Sequence, residues 1–291
     1  MSFSIGIVGL PNVGKSTLFK ALTQRSVNIA DYPFTTIEPN VGLVAVPDPR
    51  LKKIAETIKP QKTTPTLIEF VDIAGLVKNA HKGEGLGNQF LAQIRNCDAI
   101  LEVVKAFGEN PKPQEEVEII KTELEMKDLE SKEKENLLSK KPVVYVYNIA
   151  DFNLPASSEP RPEGERTLKL NLKLEEEISQ LSESEKQELG IKSQLDQLIL
   201  ACYNILDLIT FYTITGGKEA RAWTLKKGSL APRAGGRVHS DFEEKFIRAE
   251  VIPWEKLVKA GSWRQARENG WIKTAGKDYL VKDGDIIEFK I

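Results

Sequence analysis

Gly9-Leu10-Pro11-Asn12-Val13-Gly14-Lys15-Ser16 satisfies the spacing G-x-x-x-x-G-K-S in full. Each residue type there has a use in holding phosphate. Glycines let the backbone curl until its N–H groups face anionic oxygens. A helix opening at Lys15 adds the positive end of its dipole. The lysine ammonium supplies charge at the outer phosphates, and the serine hydroxyl is a ligand for Mg2+. Pro11, Asn12, Val13, Gly14, Lys15, Ser16 and Thr17 are therefore the expected phosphate-binding stretch. The competing reading is an ordinary glycine-rich strand–helix turn.

Two further stretches extend this chemistry. Phe70-Val71-Asp72-Ile73-Ala74-Gly75 closes a strand-like run with Asp, then Gly three residues on. An Asp so placed holds Mg2+, directly or through water, and the Gly75 N–H is suited to sensing a γ-phosphate. DYPFTTIEPN (31–40) offers hydroxyls able to close over Mg2+ and the γ-phosphate as a switch. Thr36 is the first choice there and Thr35 the second; the plain alternative is a Pro-flanked turn with solvent-facing threonines. Ser16, Thr36 and Asp72 form the expected metal set.

Such a site needs strands that end at it and helices that begin at it. IGIV (5–8), VGLVAV (41–46), TLIEFVD (66–72), AILEVVKAF (99–107) and PVVYVYN (142–148) read as strands. Residues 15–23 and 86–96 read as helices, which predicts a mostly parallel α/β sheet with helices on both faces. LKLNLKLEEEI (168–178) reads as a strand leading into a helix, and 194–208 as an apolar-periodic helix. The charged stretch 115–141 reads as a solvent-facing helix or short helical hairpin. Beyond residue 206 the pattern changes to short strands, 209–214, 220–225, 246–252, 278–281 and 285–291, separated by GG, APRAGG and DGD turns. Two domains are predicted, 1–206 and 207–291, the second a small α+β module.

Composition sets bounds rather than a function. The 291 residues are 41% hydrophobic and 29% charged, with net charge -1, ordinary values for a globular chain. The charge is uneven: 16 Lys/Arg against 12 Asp/Glu in 207–291, and 25 against 30 in 1–206. No strong whole-chain field points to DNA or a membrane surface. No stretch approaches the roughly 20 apolar residues needed to span a bilayer. Two widely separated cysteines make no disulfide framework, and a cytoplasmic location is expected.

GLPNVGKSTLF, YPFTTIEPN, PDPRL, EFVDIAGLVKNAHKGEGLGNQFL, KEARAWTLKKGSLAPRAGGRVHSDFEEKFIRAEVI and GKDYLVKDGDIIEFKI together resemble the YchF family of Obg-like ATPases, in the Obg branch of P-loop NTPases. The resemblance implies a Ras-like G domain followed by a β-grasp TGS domain, Mg2+-dependent ATP hydrolysis, and association with the ribosome. The chain departs from the family pattern twice in its first half. Only residues 112–141 stand where family members carry a long coiled-coil arm, so this insertion is a stub. GENPKPQ (108–114) lacks the histidine that family members use in catalysis.

The base-reading position departs as well. A guanine reader carries N-K-x-D; here the strand runs into Asn148-Ile149-Ala150-Asp151. The family favours ATP, whereas Asp151 can accept from guanine N1–H or from the adenine amino group, so ATP is expected and GTP is the alternative. Leu170-Asn171-Leu172 stands where a second base-facing loop runs. Leu76 replaces the water-orienting Gln of Ras-like enzymes, leaving His81 as a candidate for catalysis beside Lys15, Thr36 and Gly75, and predicting slow turnover. Asn12 makes K+ a second candidate ion, supplying positive charge beside the phosphates. In 207–291, Lys218, Arg221, Lys226, Lys227, Arg233 and Arg237 surround Trp223. They form either an rRNA-contacting patch or a solvated face around a buried Trp. Against the switch stands a third reading, a binding module with negligible hydrolysis.

Overall fold

The computed structural model describes residues 3–24, 40–73, 86–130, 136–150 and 166–291. Among these, the strands are β1 (Phe3–Val8), β2 (Val41–Ala45), β3 (Lys62–Thr64), β4 (Leu67–Asp72), β5 (Ala99–Lys105), β6 (Val143–Asn148), β7 (Arg166–Leu170), β8 (Leu208–Thr215), β9 (Glu219–Lys226), β10 (Arg248–Pro253), β11 (Lys273–Ala275) and β12 (Asp285–Lys290). The helices are α1 (Lys15–Thr23), α2 (Pro49–Ile58), α3 (Leu86–Asn96), α4 (Pro113–Glu130), α5 (Leu172–Ser179), α6 (Glu183–Glu188), α7 (Leu195–Ile205), α8 (Ala231–Val238), α9 (Ser240–Glu244), α10 (Trp254–Ala260) and α11 (Trp263–Glu268). The chain divides into two compact units, Met1–Ala45 with Ile68–Leu206, and Val46–Leu67 with Asp207–Ile291.

The first unit is built on the sheet β2-β4-β1-β5-β6-β7. β1 runs parallel to β4 and β5, β5 to β6, and β6 to β7. Parallel neighbours need crossovers, and helices supply them. α4 is the crossover between β5 and β6. Its Ile120 and Leu124 are buried with Phe90, Leu91 and Ile94 of α3 against Val8, Ile73 and Ile100. Sequence reading gave 115–141 to a solvent-facing helix or short helical hairpin. The structure corrects that: among the described residues 113–130 is one helix with a buried side, and Leu138 beyond it joins the same core. Its weak apolar periodicity hid the packed stripe.

The second unit is a sheet of order β11-β10-β12-β8-β9-β3. The pairs β10–β11, β10–β12 and β8–β9 are antiparallel, and β12–β8 and β3–β9 parallel. Ile209, Phe211, Val251, Ile287 and Phe289 bury one face beneath Ala231 and Ala234 of α8. Tyr212, Ala220, Ala222, Ile252 and Ile286 bury the other beneath α10, α11 and α2. The partly buried Trp254, Trp263 and Trp271 join this second core, as helix-packing residues should.

One division between the units falls between Leu206 and Asp207, but the residues before it do not all stay in one unit. Residues 46–67 supply the second unit with α2 and the edge strand β3. Asp48 caps α2 by accepting from Arg50 N at 2.9 Å, with Pro49 at the first helical position. Leu51 and Ile54 are buried on the sheet. Arg50 reaches Asp48 and Asp283, and the Tyr212 hydroxyl donates to Asp48. Nothing in a local pattern reveals such a long-range pairing.

Three smaller readings change. APRAGG is the start of α8, not a turn. Its glycines serve close packing instead: a Cβ on Gly235 would stand 2.9 Å from the Phe242 carbonyl oxygen. Residues 278–281 make a single bridge, Leu230 with Leu280, rather than a strand. Asp283-Gly284-Asp285 therefore joins no hairpin; Asp283 instead accepts from Thr210 N at 2.8 Å.

Candidate functional site

Val8 ends β1 and Lys15 opens α1, and the six residues between must reverse the chain. They do so through positive φ at Gly9 (155°), Asn12 (62°) and Gly14 (109°). Asn is among the few non-glycine residues that tolerate this region. Gly14 admits no substituent: a Cβ there would lie 2.7 Å from Asn148 Nδ2. No side chain caps α1, and no acidic residue stands in its first turn. Its leading N–H groups are thus left for an anion. Val13 is buried and offers only its backbone, while Pro11 and Asn12 are exposed.

Lys15 is 8% exposed. Its ammonium donates to the carbonyls of Gly9 at 3.0 Å and Leu10 at 2.9 Å, so the loop's own oxygens hold it in place. Burial pushes its pKa below the ordinary lysine value, and the nearby Asp72 opposes that shift. Asp72 ends β4, in register with Ile7 of β1. Its carboxylate stands 3.5 Å from the Ser16 hydroxyl. Burial raises the Asp72 pKa, with Lys15 and then Ser16 pulling it back down. Lysine, hydroxyl and carboxylate thus converge from α1 and β4.

This donor set fits Mg2+. Hydroxyl and carboxylate oxygens are hard ligands, and Mg2+ usually takes one or two from protein and the rest from water and phosphate.

Asn148 ends β6 and is buried. Nδ2 donates to Val13 O at 2.9 Å, and Oδ1 accepts from Leu172 N at 3.1 Å. It was expected among the nucleotide ligands; both ends of its amide brace the phosphate loop against the start of α5. Ile149 was also expected there. It is 2% exposed, packs with Val104, Tyr145 and Tyr147, and donates its N–H to Leu170 O. An apolar side chain at that place packs into the core.

Asn171, named from sequence only within a possible wall, caps α5 through Oδ1, accepting from Leu174 N at 3.0 Å, and donates through Nδ2 to Ala150 O at 2.7 Å. An Asn just before a helical pattern was the signal for the cap; the contact with Ala150 had none. Lys20 of α1 pairs with Glu176 of α5 at 2.5 Å, joining the two helices that flank the site. Thr17 lies in the first turn of α1. Thr36, Gly75, His81 and Asp151, with Thr35 and Leu76, lie outside the described residues.

In the second unit the basic cluster is partly committed internally. The Arg221 guanidinium lies 4.2 Å from the Trp223 ring centroid, Arg237 donates to Thr224 O, and Arg233 faces Glu243. Trp223 stacks on Phe211 and donates to Thr213 Oγ1 at 2.9 Å. Lys218, Lys226 and Lys227 are exposed. His239 caps α9, accepting from Asp241 N at 3.2 Å.

Known proteins show the same combination of strand, phosphate loop and C-terminal unit. The "Ribosome-binding ATPase YchF" of Bacillus subtilis (strain 168) is 41% identical, with 100% of this chain and 99% of that protein covered. The chain belongs to the YchF family. Another YchF relative, the "Ribosome-binding ATPase YchF" of Escherichia coli O157:H7, is 40% identical with 99% of each chain covered. The solved Schizosaccharomyces pombe YchF GTPase matches with TM-score 0.85 and 31% identity, over 99% of this chain and 98% of that one. Family models agree by halves. One described as a 50S ribosome-binding GTPase matches residues 4–149. That of the YchF GTPase C-terminal region, described as a protein of unknown function (DUF933), matches 208–291. The alignment with the B. subtilis YchF runs over 364 positions, so that relative carries residues that this 291-residue chain lacks.

Proposed function

We propose that this YchF-family chain is a cytoplasmic, Mg2+-dependent nucleoside triphosphatase that turns over ATP slowly and acts as a nucleotide-controlled switch on the ribosome. The observation that carries the reading is the convergence of Lys15, Ser16 and Asp72 beneath a loop whose N–H groups have no side-chain cap.

Lys15 and the loop N–H groups would hold the β- and γ-phosphates, and Ser16, Asp72 and Thr36 would hold Mg2+. When bound, the ion neutralises charge on the transferring phosphoryl group. Gly75 senses the γ-phosphate, and His81 is the candidate for orienting the attacking water, since Leu76 cannot. Asn12 would help hold a K+ ion, which would add positive charge beside the phosphates. Asp151 reads the base. Relatives named as ATPases favour ATP; the S. pombe relative named as a GTPase supports GTP as the second reading. Residues 207–291 form a TGS-type module of β-grasp kind. The exposed Lys218, Lys226 and Lys227 offer phosphate contacts to rRNA, consistent with the ribosome-binding names of the relatives.

Steady-state phosphate release from ATP and GTP, measured in K+ and in Na+ with and without ribosomes, tests this. Slow release that rises with K+ or ribosomes and disappears in Lys15→Ala supports it. Release unchanged by Lys15→Ala supports a binding module without hydrolysis.

A further inference from the structure

One helical side of the second unit carries positive charge that the fold does not consume. α2 and α10 lie in the same layer, with Leu51, Ile54 and Leu257 buried on the sheet beneath them. Burying those residues turns Lys52 and Lys53 of α2, and Lys256 and Lys259 of α10, outward, and all are exposed. Lys59, just past the end of α2, is exposed as well. Among the described residues none of these ammonium groups pairs with a carboxylate. Glu56 and Glu255 are the carboxylates on the same outer sides, so positive charge prevails there.

Two of the lysines have seats. Lys53 Nζ lies 5.6 Å from the Trp254 ring centroid, and Lys259 Nζ 5.7 Å from that of Trp271. Both rings are partly buried in the core below, so each holds a cation in place at the surface. Lys59 has φ 51°, a left-handed helix end at which glycine is the residue without strain. A lysine there gives up some helix-end stability and adds a cation. The basic residues around Trp223 differ. Arg221 lies over that ring, Arg237 donates to Thr224 O, and Arg233 faces Glu243.

We infer that the outer sides of α2 and α10 form a second RNA-binding face, gripping the phosphate backbone through Lys52, Lys53, Lys59, Lys256 and Lys259. The inference rests on the ribosome-binding reading above and deepens it with lysines other than Lys218, Lys226 and Lys227. Neither α2 nor α10 exposes a large apolar side chain, which the core of a protein interface or a membrane-lying helix needs. Nucleic-acid interfaces are instead polar and positively charged. The face is composite, because α2 comes from 46–67 and α10 from 207–291.

Anisotropy of a labelled RNA duplex of about 20 base pairs, titrated with the full chain across a series of KCl concentrations, tests this. Replacing Lys52, Lys53, Lys256 and Lys259 together by Ala is expected to weaken binding about tenfold or more and to lower the salt slope by about three. Arg at the same four positions restores both, since phosphate contact needs the charge. Affinity for a fluorescent ATP analogue and the melting temperature stay near wild type in both variants. Wild-type affinity and slope in the four-Ala variant would overturn the inference. So would a loss found only in Lys226→Ala/Lys227→Ala, or equally tight binding of the wild type to polyglutamate or to phosphatidylglycerol vesicles. Ribosome co-sedimentation separates the two readings. Wild-type and four-Ala proteins that sediment equally with ribosomes would overturn this face and spare the ribosome reading. A wild-type chain that bound neither ribosomes nor the duplex would defeat that reading itself.

Discussion

The Asp72 carboxylate stands 3.5 Å from the Ser16 hydroxyl, although 56 residues separate them in the chain. β1 and β4 are adjacent and parallel, so the loop after one and the carboxylate at the end of the other meet at the same sheet edge. Ligands of open parallel sheets sit at the carboxyl ends of strands. Replacing Asp72 by Asn keeps the shape and removes the charge. The expected outcome is at least a tenfold loss in the Mg2+ contribution to nucleotide affinity, with no fall in the melting temperature of the nucleotide-free protein, because burial already disfavours this charge. Titration of nucleotide with and without Mg2+, beside thermal melts, measures both.

The same two shifts give a pH profile. Asp72 must be ionised to hold Mg2+, and burial raises its pKa. As pH falls through that raised value the ligand is lost, earlier than for an ordinary aspartate. Lys15 must be protonated to hold phosphate, and burial lowers its pKa. As pH rises through that lowered value its charge is lost, earlier than for an ordinary lysine. Nucleotide affinity against pH is expected to be bell-shaped. Asp72→Asn removes the acid limb and leaves the alkaline one. The signs for stability follow the same directions. The raised Asp72 pKa makes its protonated form the favoured native one, so its contribution is most favourable at low pH and is lost as pH rises. The lowered Lys15 pKa favours the neutral amine, whose contribution appears only as pH rises. Bound phosphate and Mg2+ offset both charges, so the liganded protein is expected to gain thermal stability near neutral pH.

Residues 207–291 depend on residues 46–67. α2 covers Tyr212, Ala220 and Ile286, and β3 pairs along β9 through Lys62–Glu219, Thr63–Ala220 and Thr64–Arg221. The fragment 207–291 made alone is expected to aggregate or melt broadly, because the part of one apolar sheet face beneath α2 and one strand edge lose their cover. Fusing 46–67 to it through a flexible linker restores a cooperative transition. Circular dichroism melts of the two fragments check this. A sharp transition in 207–291 alone would show that the inserted segment is dispensable.

Local signals carried much of this molecule, and they failed for definable reasons. The phosphate loop was legible because glycine spacing, a preceding apolar strand and a following helix all report the same turn within 20 residues. The β8–β9 hairpin was legible from Gly216-Gly217, both at positive φ. By contrast, β3 is three residues long with two exposed, and it exists only because β9 lies beside it. Gly235 and Gly236 looked like a turn because the pressure for glycine comes from α9 packing on α8, which no local pattern records. Asn148 and Ile149 were placed at the base by analogy of position. The brace and the core contact that the structure shows there are decided by partners at Val13, Leu172 and Tyr145. Thr36, Gly75, His81 and Asp151 lie outside the described residues.

Calorimetric titration of the full-length chain with ATP, and separately with GTP, in Mg2+ tests the central claim most directly, with Lys15→Ala as its partner. One-to-one saturation of the wild type, weakened about tenfold or more in Lys15→Ala, is the result expected of a loop that grips phosphate with backbone N–H groups and one buried ammonium. No binding of either nucleotide at millimolar concentration, or equal affinity in the two proteins, would contradict it.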